Sequence, residues 1–88
     1  MLEFKKSTRK GKKYMVYYNG KWIHFGDSAA QQFRDSTPLR LYKHLDHLDP
    51  VRKKSYLARA KGIKDKSGNL TYLDKNSSNY YSIKFLWS

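Results

Sequence analysis

Cysteine is absent from this chain of 88 residues. That excludes disulfide bracing, a thiolate nucleophile and a thiolate metal site together. Acidic residues are scarce: seven Asp and Glu stand against nineteen Lys and Arg, a formal net charge of +12. Apolar runs are short, and none approaches the roughly 20 residues of a membrane-spanning helix. The basic N-terminal stretch is not followed by an apolar segment, so no signal peptide is expected. No glycine-rich phosphate loop ending in Lys-Ser/Thr occurs, and no G-x-S-x-G. The expectation is a non-enzymatic protein with no cofactor, no metal and no small-molecule substrate.

The length allows one domain, of marginal stability, ~5 kcal/mol. Aromatic residues, 16% of the chain, must supply much of its buried area. An excess of positive charge repels itself in a free monomer and points to an anionic partner. Nucleic acid, acidic protein surfaces and anionic membrane are the candidates.

Residues 1–13 hold Lys5, Lys6, Arg9, Lys10, Lys12 and Lys13 against one acid, Glu3. With little beyond Leu2 and Phe4 to bury, they read as a basic arm, mobile when free. Residues 14–88 then form a single α+β domain. Tyr14-Met15-Val16-Tyr17-Tyr18 and Lys21-Trp22-Ile23-His24-Phe25 flank Asn19-Gly20, the pair favoured in a type I′ turn. This hairpin sets Tyr17 opposite Trp22 and Val16 opposite Ile23. Tyr14, Val16, Ile23 and Phe25 share the face assigned to the core. Met15, Tyr17, Trp22 and His24 share the other, which must be covered by the C-terminus or by a partner.

Beyond the hairpin, Ser28 and Gln31 have capping-box spacing, so a short helix is expected over 29–34. Thr37-Pro38 suggests a second helix start, followed by Leu41, Tyr42, Leu45 and Leu48 as a helical stripe. Asp49-Pro50 stops that helix and begins another, which ends at Gly62. Asp65 to Asn69 is a turn, and residues 70–73 are a short strand or extended stretch. The end, Tyr80 to Trp87, fits the period of either a helix or a strand. The expected core is Tyr14, Val16, Ile23, Phe25, Leu41, Leu45, Leu48, Leu57, Ile83 and Leu86.

His44 and His47 lie one turn apart beside Asp46 and Asp49, but catalytic zinc typically takes three protein ligands. A solvated polar face is the simpler reading, and His24 reads as a strand-face residue rather than a base. The positive signal is elsewhere. The helix after Pro50 is basic almost all round: Arg52, Tyr56 and Arg59 lie on one side, Lys54 and Lys61 on another, Lys53 on a third. Val51 and Ala58 leave only a narrow apolar strip, so such a helix needs company. The candidate partner-binding residues are Lys10, Lys12, Lys13, Tyr17, Trp22, Arg52, Lys53, Lys54, Tyr56, Arg59 and Lys61. Two readings are open. Lysines and arginines can neutralise phosphates while Tyr17 and Trp22 stack on bases, giving sequence-nonspecific nucleic-acid binding. Alternatively, arm and helix wedge between acidic protein subunits, with rings filling pockets at the seam.

Three short motifs are similar to those of a known group. They are Ile23-His24-Phe25-Gly26 at a strand end, Asp49-Pro50-Val51-Arg52-Lys53-Lys54-Ser55-Tyr56-Leu57-Ala58-Arg59-Ala60, and a terminal Tyr80-Tyr81-Ser82 with Leu86-Trp87. In order and composition the chain resembles small basic proteins encoded by large double-stranded DNA viruses of eukaryotes, with related sequences in some tailed phages. Gly26, Asp49, Pro50, Arg52, Lys53, Ala58, Arg59 and Trp87 match that pattern. Ala60-Lys61-Gly62 departs from the His or Lys common there, and the stretch Gln31 to Leu48 is longer. The resemblance implies a virion-associated or minor capsid role without catalysis and adds weight to a helical end. The expectation is a structural component of a virus particle that binds acidic capsid partners, with DNA or RNA binding as the alternative.

Overall fold

A computed structural model describes residues 2–88. Three antiparallel strands in the order β1-β2-β3 make the sheet: β1 Glu3–Lys6, β2 Lys12–Tyr18 and β3 Lys21–Asp27. Two helices follow, α1 Pro50–Ala60 and α2 Ser78–Leu86. Single 3-10 turns lie at Lys43–Leu45 and Thr71–Leu73. The domain is α+β, as expected.

The β2–β3 register pairs Tyr18 with Lys21, Tyr17 with Trp22, Val16 with Ile23, Met15 with His24 and Tyr14 with Phe25. Asn19 and Gly20 take φ of 53° and 79°, the left-handed pair that a two-residue turn of this hand needs. Tyr14, Val16, Ile23 and Phe25 are buried, as alternation requires. Against them α2 lays Tyr81, Phe85 and Leu86.

The N-terminal arm requires correction. Residues 3–6 are a strand, paired so that Phe4 faces Val16. Phe4 meets the edges of Phe25 and Phe85, at centroid distances of 6.4 and 4.8 Å. The half-buried Phe4 ring and the β1–β2 ladder together order the short basic segment. The same segment covers the Met15 and His24 end of the second hairpin face, while Tyr17 on that face stays exposed. Ser7 hydrogen-bonds the His24 ring at 2.6 Å, and Thr8 contacts the sulfur of Met15. At that end of the face neither the C-terminus nor a partner is needed. The two-strand hairpin of the sequence reading is thus a three-strand sheet.

The helices expected over 29–34 and 38–48 do not form; only Lys43–Leu45 turns helically. The backbone donors that would build them are taken by other partners: Gln32 and Arg34 N–H donate to Leu45 O and Leu86 O, His47 and Leu48 N–H to Gln32 O and Phe33 O, and others to side chains. Tyr42 N–H donates to Asp35 Oδ2, and Leu41 N–H donates to the Tyr14 hydroxyl. Arg40 and Leu48 adopt φ of 51° and 56°, outside any right-handed helix. Leu41 and Leu48 are consequently 48% and 59% exposed and leave the core, while Leu45, Leu57 and Ile83 are only half-buried.

What fixes this long irregular segment is a buried polar network. Lys13, Gln32, Asp35 and Thr37 are all buried. The Lys13 ammonium donates to Ala30 O and Gln32 Oε1. Gln32 donates onward to Tyr42 O and Asp46 Oδ1. Asp35 receives the Tyr14 hydroxyl at 2.5 Å, the Thr37 hydroxyl at 2.6 Å and the Thr37 and Tyr42 N–H groups. Burial alone would raise the Asp35 carboxyl, but these donors outweigh it and hold it below its ordinary value. Burial, then the bond to Asp35, pushes the Tyr14 hydroxyl up to about 12.

Both helices begin at a side-chain cap, that of α1 where the sequence places it. Asp49 caps α1 through the Val51 and Arg52 N–H groups, with Pro50 at the first position. Ser77 caps α2 through Asn79 N–H, which settles Tyr80 to Leu86 as helix. The loop closes the far end of α2: Arg34 and Ser36 N–H groups donate to Leu86 O and Phe85 O. Residues 70–73, expected as strand or extended, hold a bridge from Leu70 to Lys64 and then the 3-10 turn.

Candidate functional site

The seven acids of the chain are Glu3 and six aspartates. Every aspartate accepts backbone N–H groups within the fold. Asp27 accepts Ala29, Asp35 accepts Thr37 and Tyr42, and Asp46 accepts Asp35. Asp49 accepts Val51 and Arg52, Asp65 accepts Ser67 and Asn69, and Asp74 accepts Asn76. The acids thus build turns and caps. Two ion pairs form among the described residues: Lys5 with Glu3 at 3.9 Å, and Lys43 with Asp46 at 3.7 Å. At that reach, exposed pairs neutralise little. The excess cations other than the buried Lys13 therefore lie on the surface, and among the described residues most have no ion-pair partner.

The densest set of them is on α1, which carries no acid between its Asp49 cap and Ala60. Packing decides which face of α1 is free. Tyr56 and the buried Ala60 turn inward. Tyr56 stacks on Trp87, centroids 3.9 Å apart and planes 7° from parallel. Ala60 O accepts the Asn79 side-chain amide at 2.8 Å. Tyr56 is therefore an anchor of α1 rather than a ring offered to a partner; burial raises its hydroxyl despite the opposing charge of Arg59. Arg52 leans back to Gln31 Oε1 at 2.9 Å, while Arg59 stays exposed.

On the outward side, Lys53 rests its ammonium 4.6 Å from the Phe33 ring centre and Lys61 rests 5.8 Å from that of Tyr72. Both contacts hold the charge in place without neutralising it. Lys54 projects from the same face, exposed. The stripe of Arg52, Tyr56 and Arg59 expected from the helical wheel gives way to one of Lys53, Lys54 and Lys61.

The remaining expected residues fall elsewhere. Lys13 is inside the polar network, its pKa lowered by burial against the opposing pull of Asp27, Asp35 and Asp46. It is not available to a partner. Lys10 is exposed in the β1–β2 turn. Lys12 lines a cleft of about 460 Å³ where Gly26 and Asp27 approach Ser77, Asn79 and Ser82. Tyr17 is 45% exposed and meets Trp22 edge-on at 5.2 Å, with Lys5 5.3 Å above the Trp22 ring. This aromatic pair lies on the sheet, apart from the α1 stripe.

His47 departs from the solvated face assigned to it. Its ring is half-buried between Phe33 and Trp87, and Nδ1 accepts Asp49 N–H at 3.0 Å. Burial and then the Arg52 charge lower its pKa against the pull of Asp49 and Asp46. His44 is exposed beside Tyr42. Among the described residues no three His, Asp or Glu side chains gather as metal ligands.

The model of a family described as being of unknown function, DUF5754, matches residues 2–60. The match runs from the first strand to the last residue of α1 and so contains the whole cationic face of that helix up to Ala60. No curated protein and no solved structure matches the chain.

Proposed function

The chain belongs to the DUF5754 family, and we propose, on its charge distribution and the motif resemblance, that it is a non-enzymatic structural component of a virus particle, held on acidic capsid surfaces by the outward face of α1. The observation that carries the reading is the division of labour among charges. All six aspartates are held on backbone donors of the fold, and among the described residues none forms an ion pair with a lysine of α1. A partner that supplies carboxylates relieves the self-repulsion and gains affinity. The viral setting rests on the motif resemblance around His24-Phe25-Gly26, Asp49 to Ala60 and Leu86-Trp87.

A second reading has its own observation. The exposed Tyr17, edge-on to Trp22 with Lys5 above, has the cation-and-ring chemistry that holds single-stranded nucleic acid. Nuclease digestion separates the two. Particles or lysate containing the protein are digested and fractionated by sedimentation. Under the capsid reading the protein stays with the shell, and reversing Lys53, Lys54 and Lys61 to Glu releases it. Release by nuclease alone replaces the capsid reading with the nucleic-acid one.

A further inference from the structure

The outward face of α1 has a floor as well as charges. Pro50, Lys53, Lys54, Leu57, Ala58 and Lys61 recur at i, i+3, i+4, i+7, i+8 and i+11, one face of a helix. They line one shallow groove of about 470 Å³. Leu57 and Ala58 form its apolar middle, Lys53 and Lys54 stand one turn before, and Lys61 stands one turn after. Val51, on the neighbouring strip, is 71% exposed. The domain's own elements leave this side of the helix open.

We infer that this groove takes an acidic amphipathic helix of a partner protein, its apolar side chain over Leu57 and Ala58 and its carboxylates against the lysines at both ends. The inference rests on the reading of α1 as an anion-seeking face and names the chemistry that fits it. From Lys53 to Lys61 is eight residues, about 12 Å of helix rise, so carboxylates two turns apart on the partner reach both ends. Ala58 offers only a methyl group, which lets a second helix approach to the usual 8–10 Å between axes, roughly the distance of packed helices. The N-terminal end of the α1 dipole adds to the attraction beside Lys53 and Lys54.

The floor decides between partners. Phosphates and sugars are held by cations and polar donors, and interfaces with nucleic acid are correspondingly polar; Pro50, Leu57 and Ala58 give them nothing. An interfacial membrane helix carries a broad apolar face of Trp, Phe and Leu, and this face has one Leu flanked by lysines. An apolar centre with cations at both ends is the complement of a helix whose apolar residue is flanked by acids.

The full chain is titrated, by fluorescence anisotropy, into a labelled peptide of about 16 residues, long enough to hold a helix. Glu and Leu are segregated on one face of the peptide. An isomer of the same composition with those residues dispersed, a single-stranded oligonucleotide and vesicles containing anionic lipid are titrated alongside. The segregated peptide is expected to bind at least about tenfold more tightly than its isomer, as burial of a central apolar anchor requires. Ala58→Gln, which fills the floor without changing charge, should weaken that peptide about tenfold and leave oligonucleotide binding unchanged. Lys54→Glu with Lys61→Glu should abolish peptide binding. Circular dichroism checks that each variant keeps the wild-type fold, since all three positions are exposed.

Equal affinity for the two peptides, or indifference to Ala58→Gln, overturns the groove while anion binding by α1 stands. Binding to the oligonucleotide or the vesicles but to neither peptide overturns the protein partner. Failure to bind any polyanion overturns this inference and the proposed function together.

Discussion

The ring of Tyr56 lies flat on that of Trp87, and through this stack the cationic helix α1 is fastened to the end of the chain. Trp87 follows the last residue of α2 and also meets His47 at 5.2 Å. The contact thus joins α1, α2 and the irregular segment between sheet and helix.

Truncating either ring should loosen α1 without touching its charge. Tyr56→Ala and Trp87→Ala are each expected to cost about 2–4 kcal/mol, the upper part for the larger ring. A double-mutant cycle should return a coupling of about 1 kcal/mol for the stacked pair. Urea unfolding followed by far-ultraviolet circular dichroism measures it. Strict additivity of the two substitutions would show that the rings do not act together.

The polar network makes a sharper demand. The Tyr14 hydroxyl donates to Asp35 and accepts Leu41 N–H, so Tyr14→Phe leaves a buried acceptor and a donor short of partners. The expected loss is about 1–3 kcal/mol, although the ring itself remains. Asp35→Asn should cost at least as much, because its carboxylate gathers four donors. Amide exchange at Leu41 and Tyr42 should speed up in both variants. Unchanged protection there would mean that the network does not hold the segment.

That network also explains where the sequence was readable. The β2–β3 register, the Asn19-Gly20 turn and the Asp49-Pro50 start of α1 obey rules confined to a few neighbouring residues. All were legible. Leu41, Leu45 and Leu48 had helical spacing, but their segment answers to Tyr14 and Lys13, which lie far away along the chain. A side chain that captures a backbone N–H defeats the helix before apolar periodicity can act. The arm misled for a related reason. Its charges were visible, whereas the fit of Phe4 between Phe25 and Phe85 required α2 to be in place. Of the candidate binding residues, Lys53, Lys54 and Lys61 reach the outer face of α1. Tyr56 is drawn inward because Trp87 waits behind it, a pairing for which local spacing carries no signal.

Acid should destabilise the fold in two stages. His24 and His47 both have pKa values lowered below 6.5. Burial is the leading cause for each, followed by Arg9 and Lys12 at His24 and by Arg52 at His47. The unfolded chain therefore binds more protons than the folded one near neutrality, and stability rises with pH there. The contribution is complete above 6.5 and is lost as pH falls through the lower folded values. Asp35, also lowered, adds a contribution present above 3.8 and lost as pH drops further. Melting temperature measured from pH 7.5 to pH 3, on the order of the range these groups cover, should fall in both windows. His47→Asn keeps an acceptor near Asp49 N–H and should shrink the first, leaving the share of His24. A melting temperature insensitive to pH in that window would contradict the half-buried, neutral imidazoles of His24 and His47.

Gly26 and Gly11 offer a controlled comparison of strain and crowding. Both occupy the left-handed region, with φ of 80° and 85°. An added Cβ at Gly11 meets nothing within 4 Å, so Gly11→Ala carries the backbone penalty alone, about 1–2 kcal/mol. At Gly26 the same atom would fall 2.8 Å from Leu86 Cδ1 and 3.2 Å from two carbons of Lys13. Leu86 is buried in the core and Lys13 is anchored by Ala30 and Gln32, so neither can easily withdraw. Overpacking adds roughly 1–3 kcal/mol to the strain, and Gly26→Ala should be the more damaging by that margin. Equal losses by urea unfolding would mean that β3 and α2 are packed more loosely than Leu86 indicates. A larger loss at Gly26, with faster amide exchange at Arg34 and Ser36, would trace the damage through Leu86 to the loop that closes the end of α2.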